Sequence, residues 1–148
     1  MKRSPMALAL HEAKYAAARG EVPVGAVIIH KGLPIAYASN QTRTTPDPTG
    51  HAEIRAIRAA CALLGRERLV DCDLYVTLEP CTMCAGAIAH ARLRRLYYGA
   101  RDPKGGAVES GVRFFHQSTC HHQPEIYNAI GERESSLLLK TFFARLRL

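Results

Sequence analysis

The sequence predicts an α/β protein in which helices cover both faces of a single sheet. Stretches with apolar residues at helical spacing alternate with short β-rich stretches along the whole chain. Turn-forming residues separate them, and Lys31-Gly32 turns the chain from the first β-rich stretch into the second. Helices and strands that alternate in this way pack as layers around one hydrophobic core.

The first half of the chain predicts a helix, a β-hairpin and a second helix. Ser4-Pro5 begins the first helix as N-cap and first-turn proline, and Gly20 ends it. Its apolar stripe is Met6, Leu8, Ala9, Ala13, Ala16 and Ala17. Two strands follow at residues 24–29 and 33–38, joined by a tight turn. A polar loop at residues 40–50 then leads to a helix at residues 51–63. The second helix is expected to face the core with Ile54, Ile57, Ala60 and Cys61.

The second half predicts two more strands, a weaker fifth strand and two helices. Pro80 ends one strand and leads directly into a helix at Cys81. The strands are expected at residues 73–78, 94–99 and, more weakly, 125–130. The helices are expected at residues 81–91 and 132–146. The last helix is expected to face the core with Leu137, Leu138, Phe142 and Phe143.

Length and composition predict one domain over residues 1–148, in a reducing cytoplasm. The basic start of the chain is followed by only a short apolar stretch, which is not typical of a signal peptide. No stretch approaches the roughly 20 apolar residues of a membrane span. The five cysteines are an odd number, which disfavours a disulfide framework.

The chain carries a formal net charge of +7, and most of the excess lies in residues 81–148. A basic lobe is typical of proteins that bind a polyanion such as RNA. A solvated basic surface explains the same charge, so charge alone leaves both interpretations open.

Two short motifs predict a catalytic zinc site. His51-Ala52-Glu53 provides an imidazole, and Pro80-Cys81-Thr82-Met83-Cys84 provides two thiols. Three protein ligands leave the fourth tetrahedral position of zinc to water, as catalytic sites do. Zinc lowers the pKa of such a water towards neutrality. Glu53, two residues from the histidine, is the candidate general acid and base.

A structural zinc site or a redox-active Cys-x-x-Cys pair is the alternative. A closed structural site requires a fourth ligand, for which Cys120, His121 and His122 are the candidates. A redox pair explains the two cysteines but gives His51 and Glu53 no role. The complete combination of motifs therefore favours catalysis.

With these motifs the chain resembles the bacterial tRNA-specific adenosine deaminases, of the cytidine/deoxycytidylate deaminase superfamily. The resemblance covers nearly the whole chain, through segments 21–26, 47–53, 75–87 and 98–106 together with Asn40. It implies a three-layer α/β/α sandwich of the cytidine-deaminase type with a central five-stranded mixed sheet. It also implies a homodimer with one zinc ion per subunit and no organic cofactor. The implied reaction converts the wobble adenosine (position 34) in the tRNA anticodon stem-loop to inosine.

Carried over residue by residue, the resemblance assigns roles to nine positions. His51, Cys81 and Cys84 hold zinc, and Glu53 transfers protons. Asn40 and the backbone of Ala52 hold the adenosine, and the RNA contacts are Arg101, Asp102 and Lys104. The alternatives are a turn residue for Asn40 and a solvated turn for 101–104. Glu79 is expected to orient a ligand or to cap the following helix.

Three questions stay open. Segment Gly111–Gln123 departs from the family pattern, and its Phe114-Phe115 pair either stacks on bases or packs in the core. Cys120, His121 and His122 are a possible second metal site. The alternative functions are a free-base or nucleoside deaminase acting on guanine, cytosine or cytidine, a riboflavin-pathway deaminase, and a zinc-dependent RNA-binding module without catalysis.

Overall fold

The computed structural model describes residues 3–146 and contains four α-helices, five strands and a short 3-10 turn in that range. The helices are α1 (Pro5–Ala18), α2 (Ala52–Leu64), α3 (Thr82–Ala91) and α4 (Glu132–Leu146). The strands are β1 (Gly25–His30), β2 (Leu33–Ser39), β3 (Cys72–Leu78), β4 (Arg95–Ala100) and β5 (Glu125–Tyr127). The 3-10 turn is Phe114–His116. No helix in the described range is long and apolar enough to cross a membrane.

The strands form one mixed sheet in the order β2-β1-β3-β4-β5. β1 pairs with β2 and with β3 in antiparallel orientation, whereas β3, β4 and β5 are parallel to one another. The five-stranded mixed sheet is therefore confirmed.

Alternate residues of the strands face two separate cores, as the two-residue period of a strand requires. One face packs on α2 and α3 through Ala26, Ile28, Leu74, Val76, Leu96 and Tyr98. On the other face, Val27, Tyr75 and Tyr97 lie with α1 side chains such as Met6 and Leu10. The start of α4 lies on this second face, because a Cβ at Gly99 of β4 would stand only 2.5 Å from Ser135 Oγ. Two helical layers with a sheet between them confirm the α/β/α sandwich.

The expected core face of α4 is only partly right, because Leu138 and Phe142 are half-buried but the other two residues are exposed. Leu137 is 64% exposed and Phe143 40% exposed, and Ser135 is the buried side chain of this helix. The helix packs on β4, beyond which the sheet has only the three-residue β5, so most of α4 has no sheet surface to cover. The fifth strand itself ends at Tyr127, three residues earlier than expected.

The expected core face of α2 is only partly right. Ala60 is buried as predicted, but its buried neighbours are Ala52, Glu53 and Ala56, while Ile54 and Ile57 are half-buried. Small residues of α2 face the sheet at β1 and β2, whereas the larger Ile54 and Ile57 line a groove beside α3.

Candidate metal centre and its cavity

One edge of the sheet collects the chemically important residues. β2, β3 and β4 end there and the antiparallel β1 begins there, because Gly25 pairs with Ser39, Ala26 with Val76 and Leu78 with Ala100. The N-termini of α2 and α3 lie at the same edge. Residues that are far apart in sequence therefore meet where open α/β sheets usually bind ligands.

His51 and Cys81 occupy equivalent positions at the two helix starts. Each is the N-cap of its helix in extended backbone conformation, and neither side chain bonds the first turn of its own helix. Their donor atoms therefore remain available for a ligand. Cys84 lies one turn into α3 and is buried, so its thiol faces the same point from behind.

The distances between the three donor atoms match a tetrahedral zinc site. His51 Nδ1 lies 3.6 Å from Cys81 Sγ and 3.4 Å from Cys84 Sγ. Zinc bonds of about 2.3 Å to sulfur and about 2.0 Å to nitrogen, at the tetrahedral angle, separate the two donors by about 3.5 Å. Among the described residues, no fourth His, Cys, Asp or Glu joins this group. The donor set therefore suits zinc with one position open to water.

The ionisation of the two cysteines also favours binding of a cation at this point. Hydrogen bonds from Cys84 and from His51 lower the pKa of Cys81 to about 4, so this sulfur is a thiolate at neutral pH. The bond to Cys81, together with burial, raises the pKa of Cys84. A cation that binds both sulfurs must therefore displace the Cys84 proton, as metal binding to thiols generally does.

Glu53 is a buried carboxylate beside this group. It lies in the first turn of α2, is 4% exposed, and lines the same cavity as His51 and Cys81. Burial raises the pKa of Glu53 to about 7. A carboxyl group in such surroundings is suited to accept and return protons near neutral pH.

The cavity has a volume of about 340 Å³ and opens at the sheet edge. Its lining residues are Val22, Val24, Asn40, Thr42, His51, Glu53, Leu78, Glu79, Cys81, Asp102 and Gly105. The Asn40 side chain, 7% exposed, makes no hydrogen bond within the described residues. Many of these residues are polar, but most of the surface that they expose to the cavity is apolar, as is typical of a small-ligand site. Ala52 is buried but is not among the lining residues.

A first buried carboxylate, which the sequence did not single out, holds one wall of the cavity. Glu21 accepts hydrogen bonds from the backbone N–H groups of Thr42, Arg43 and Thr44, the shortest being 2.8 Å from Thr44. It also accepts from both threonine hydroxyls. Glu21 is more than 20 residues away from this loop, so no local pattern indicates the contact.

A second buried carboxylate, Glu79, holds the opposite wall. It accepts from the backbone N–H groups of Asp102, Val108, Glu109 and Ser110 at 2.9–3.0 Å. Burial alone would raise the pKa of Glu79, but these hydrogen bonds outweigh it and hold the pKa below its ordinary value. The expected helix cap is therefore wrong: Glu79 bonds the loop after β4 and not the first turn of α3.

The three expected RNA contacts lie in this loop. Arg101 and Lys104 are exposed outside the cavity, and Asp102 is half-buried and lines it. Asp102 Oδ1 accepts from the backbone N–H groups of Lys104 and Gly105, which closes a tight turn. The loop thus presents two cations to solvent beside the cavity mouth.

Segment 111–123 contributes to packing and forms no metal group. Phe115 is 4% exposed in the core and meets Phe114 edge to face, with ring centroids 5.8 Å apart. Cys120 Sγ donates to the carbonyl of His122, and His122 Nε2 bonds to the carbonyl of Leu93. In the described part of the chain these side chains do not converge on one point.

A second group of possible ligands, His30, Asp71 and Cys72, lies at the opposite edge of the sheet. Asp71 is already paired there with His30 at 2.8 Å and with Arg66 at 2.5 Å. Burial raises the pKa of Cys72 to about 11, so it stays a thiol. This group is an ion-pair cluster.

Comparison with known proteins identifies the family. The model for the cytidine and deoxycytidylate deaminase zinc-binding region matches residues 1–100. A tRNA-specific adenosine deaminase of Agrobacterium fabrum is 62% identical over 143 residues, which are 97% of this chain and 94% of that protein. The chain belongs to the tRNA-specific adenosine deaminase family. The family is thus matched through a zinc-binding region that includes His51, Cys81 and Cys84.

Two solved structures share the fold of this family member. One comes from work on A-to-I editing by tRNA:A34 deaminases at the wobble position; it is 62% identical, with a TM-score of 0.90, and covers 91% of this chain and 98% of its own. The other is a guanine deaminase of Bacillus subtilis, 31% identical, with a TM-score of 0.65 and coverage of 100% and 96%. The fold is therefore shared with a protein described as a guanine deaminase.

Proposed function

We propose that this protein hydrolytically deaminates the wobble adenosine of tRNA to inosine. The observation that carries the reaction is that Glu53 and Asn40 line the same cavity as His51 and Cys81. The similarity to tRNA-specific adenosine deaminases over nearly the full chain supports tRNA as the substrate.

In this proposal His51, Cys81 and Cys84 hold one zinc ion per subunit. The bound zinc supplies a Lewis acid, which makes a water nucleophilic at neutral pH. Glu53 would take one proton from the attacking water and deliver it to the purine N1. It would then take the second proton, from the new hydroxyl on C6, and deliver it to the departing amine. A C6–O bond forms, the C6–N6 bond breaks, and ammonia leaves. Because Glu53 is not a ligand, it is free to exchange protons throughout.

The other cavity residues bind and orient the base. The Asn40 amide has unused donors and acceptors and can pair with the purine. Ala52, between His51 and Glu53 at the start of α2, is proposed to hold the base through its backbone. Arg101, Asp102 and Lys104 lie beside the cavity mouth, where an anticodon stem-loop would pass. An unpaired loop base is cheaper to evert than a paired one, which suits a cavity of this size.

The direct test compares substrates. Zinc-loaded protein is incubated with an anticodon stem-loop carrying adenosine at position 34, with the same RNA carrying guanosine there, and with free guanine, cytosine and cytidine. We expect inosine and ammonia from the first RNA only. Turnover of a free base with no inosine formed would favour the small-molecule deaminases, and RNA binding without turnover would favour a binding module.

We further propose that residues 1–148 form one domain that works as a homodimer in the cytoplasm, where its tRNA substrate is. Half-buried Ile54 and Ile57 of α2 line a groove with Ala87 and Ala91 of α3, and these apolar side chains support self-association. The groove is also lined by Arg58, Glu67 and His90. Light scattering should give twice the 16.3 kDa chain mass. Ile57→Glu should give the monomer mass, whereas the exposed Leu63→Glu should leave the dimer intact.

A further inference from the structure

Glu79 is connected to the loop after β4 through both of its oxygens. Oε2 accepts from the N–H groups of Val108, Glu109 and Ser110, and Oε1 accepts from Asp102 N–H and from Ser110 Oγ at 2.9 Å. The carboxylate is 2% exposed, so these bonds are shielded from water. With every contact directed at the loop, Glu79 is not available to exchange protons with a substrate.

The Ser110 hydroxyl extends this network to Arg101. Its O–H donates to Glu79 Oε1, and its oxygen accepts from Arg101 Nε–H at 3.2 Å. A hydroxyl has one hydrogen and two lone pairs, so both bonds form together without conflict. Ser110 is 7% exposed, whereas the guanidinium that it holds is at the surface.

Only one edge of the Arg101 guanidinium is used. Within residues 3–146, its Nη groups take part in no hydrogen bond or ion pair. A guanidinium held at Nε keeps its outer fork oriented and available for an anionic oxygen. The free Nη groups and the fixed Nε therefore point to a phosphate-binding arginine.

The close approach of this loop to Glu79 is built into the sequence at Gly106. A Cβ at this position would lie 2.5 Å from Glu79 Cδ and 2.6 Å from the carbonyl oxygen of Asp102. Any larger residue would separate the loop from the carboxylate. Since Pro80 alone separates Glu79 from the metal-site residue Cys81, the loop is tied to the metal centre.

We propose that Glu79 and Ser110 are positioning residues that orient Arg101 towards a tRNA phosphate and so determine tRNA affinity without taking part in the chemistry. This inference rests on the proposed function. It assigns a role to two residues whose side chains act through Arg101 and not on the reacting base.

The first test is steady-state kinetics with the adenosine-34 stem-loop. Ser110→Ala should raise KM roughly three- to tenfold, the usual effect of losing one hydrogen bond. Its kcat should stay within about twofold and its zinc content should not change. Ser135→Ala, which also removes a buried, hydrogen-bonded serine hydroxyl but from α4, is the matched control and should leave KM unchanged.

The second test asks whether Ser110 acts through Arg101. If it does, Ser110→Ala combined with Arg101→Ala should raise KM no further than Arg101→Ala alone, because contacting residues are not additive. Arg101→Lys keeps the charge but lacks the Nε–H that Ser110 binds, so its KM should also rise. Effects that multiply, or a wild-type KM for Arg101→Lys, would overturn the inference.

The outcomes separate the two proposals. A wild-type protein that makes no inosine from the stem-loop removes the proposed function and this inference with it. A wild-type protein that makes inosine while Ser110→Ala keeps a normal KM removes the inference alone. If Ser110→Ala lowers the zinc content, or lowers kcat by as large a factor as it raises KM, Ser110 supports the fold or the metal centre. Either result would also overturn the inference.

Discussion

Glu21 offers a quantitative test of how the cavity wall is built. Its side chain has no exposed surface, and it lies under the Thr42–Thr44 loop, whose three backbone N–H groups and two hydroxyls donate to it. Burial alone would raise the pKa of Glu21. The hydrogen bonds, led by those of Thr44, outweigh burial and lower the pKa to about 2.

The lowered pKa can be expressed as stability. A change from 4.5 to about 2 corresponds to about 3 kcal/mol of folding free energy at neutral pH. The loop over Glu21 is a single layer whose Arg43 and Thr44 are exposed, so water screens these bonds and about 2 kcal/mol is the expected contribution. Because the folded pKa is the lower one, this stability is present above about pH 4.5 and is lost as the pH falls towards 2.

The perturbation is Glu21→Gln, which keeps the size of the side chain but directs an NH₂ group at backbone N–H donors. Urea unfolding at pH 7 should show about 2 kcal/mol less stability than the wild type. At pH 3 the difference should shrink to less than half, since much of the wild-type carboxylate advantage has been lost. Protonation of the metal ligands affects both proteins alike, so it cancels from the difference.

Glu67→Gln is the matched control, because Glu67 is an exposed glutamate. It should change stability by less than about 0.5 kcal/mol at either pH. A Glu21→Gln protein as stable as the wild type at pH 7 would refute the assignment of the loop to this carboxylate. A loss of equal size at pH 7 and pH 3 would show that shape, and not ionisation, is what Glu21 contributes.

Three further predictions concern the site itself. Glu53→Gln should retain zinc by elemental analysis and lose about a hundredfold to ten-thousandfold in kcat, the usual effect of removing an acid/base group; loss of zinc would make Glu53 a ligand. Alanine at any one of the three metal ligands should lower zinc content and activity together, whereas Cys61→Ala and Cys72→Ala should keep full zinc. Gly106→Ala should destabilise the protein to urea by about 1–3 kcal/mol through its clash with Glu79, whereas Gly86→Ala, with its nearest contact at 3.9 Å, should be tolerated.

The sequence by itself determined the layered α/β fold, most element positions and the identity of the donor groups. These features depend on short-range physics. His51 and Glu53 lie within one helical turn of each other, as do Cys81 and Cys84, and hydrophobic periodicity marks the strands and helices on either side. Residue types with strong metal preference at such spacings indicate their chemistry before any folding is considered.

Only the tertiary structure decided how those groups meet and what holds the cavity walls. His51 is 30 residues from Cys81, and the distance of 3.6 Å between their donor atoms follows from the strand order and the two helix starts. The loop contacts of Glu21 and Glu79 span 21 to 31 residues and have no local signature. The exposed face of α4 likewise depends on where the sheet ends, because an apolar stripe predicts that a helix packs but not how much surface lies beneath it.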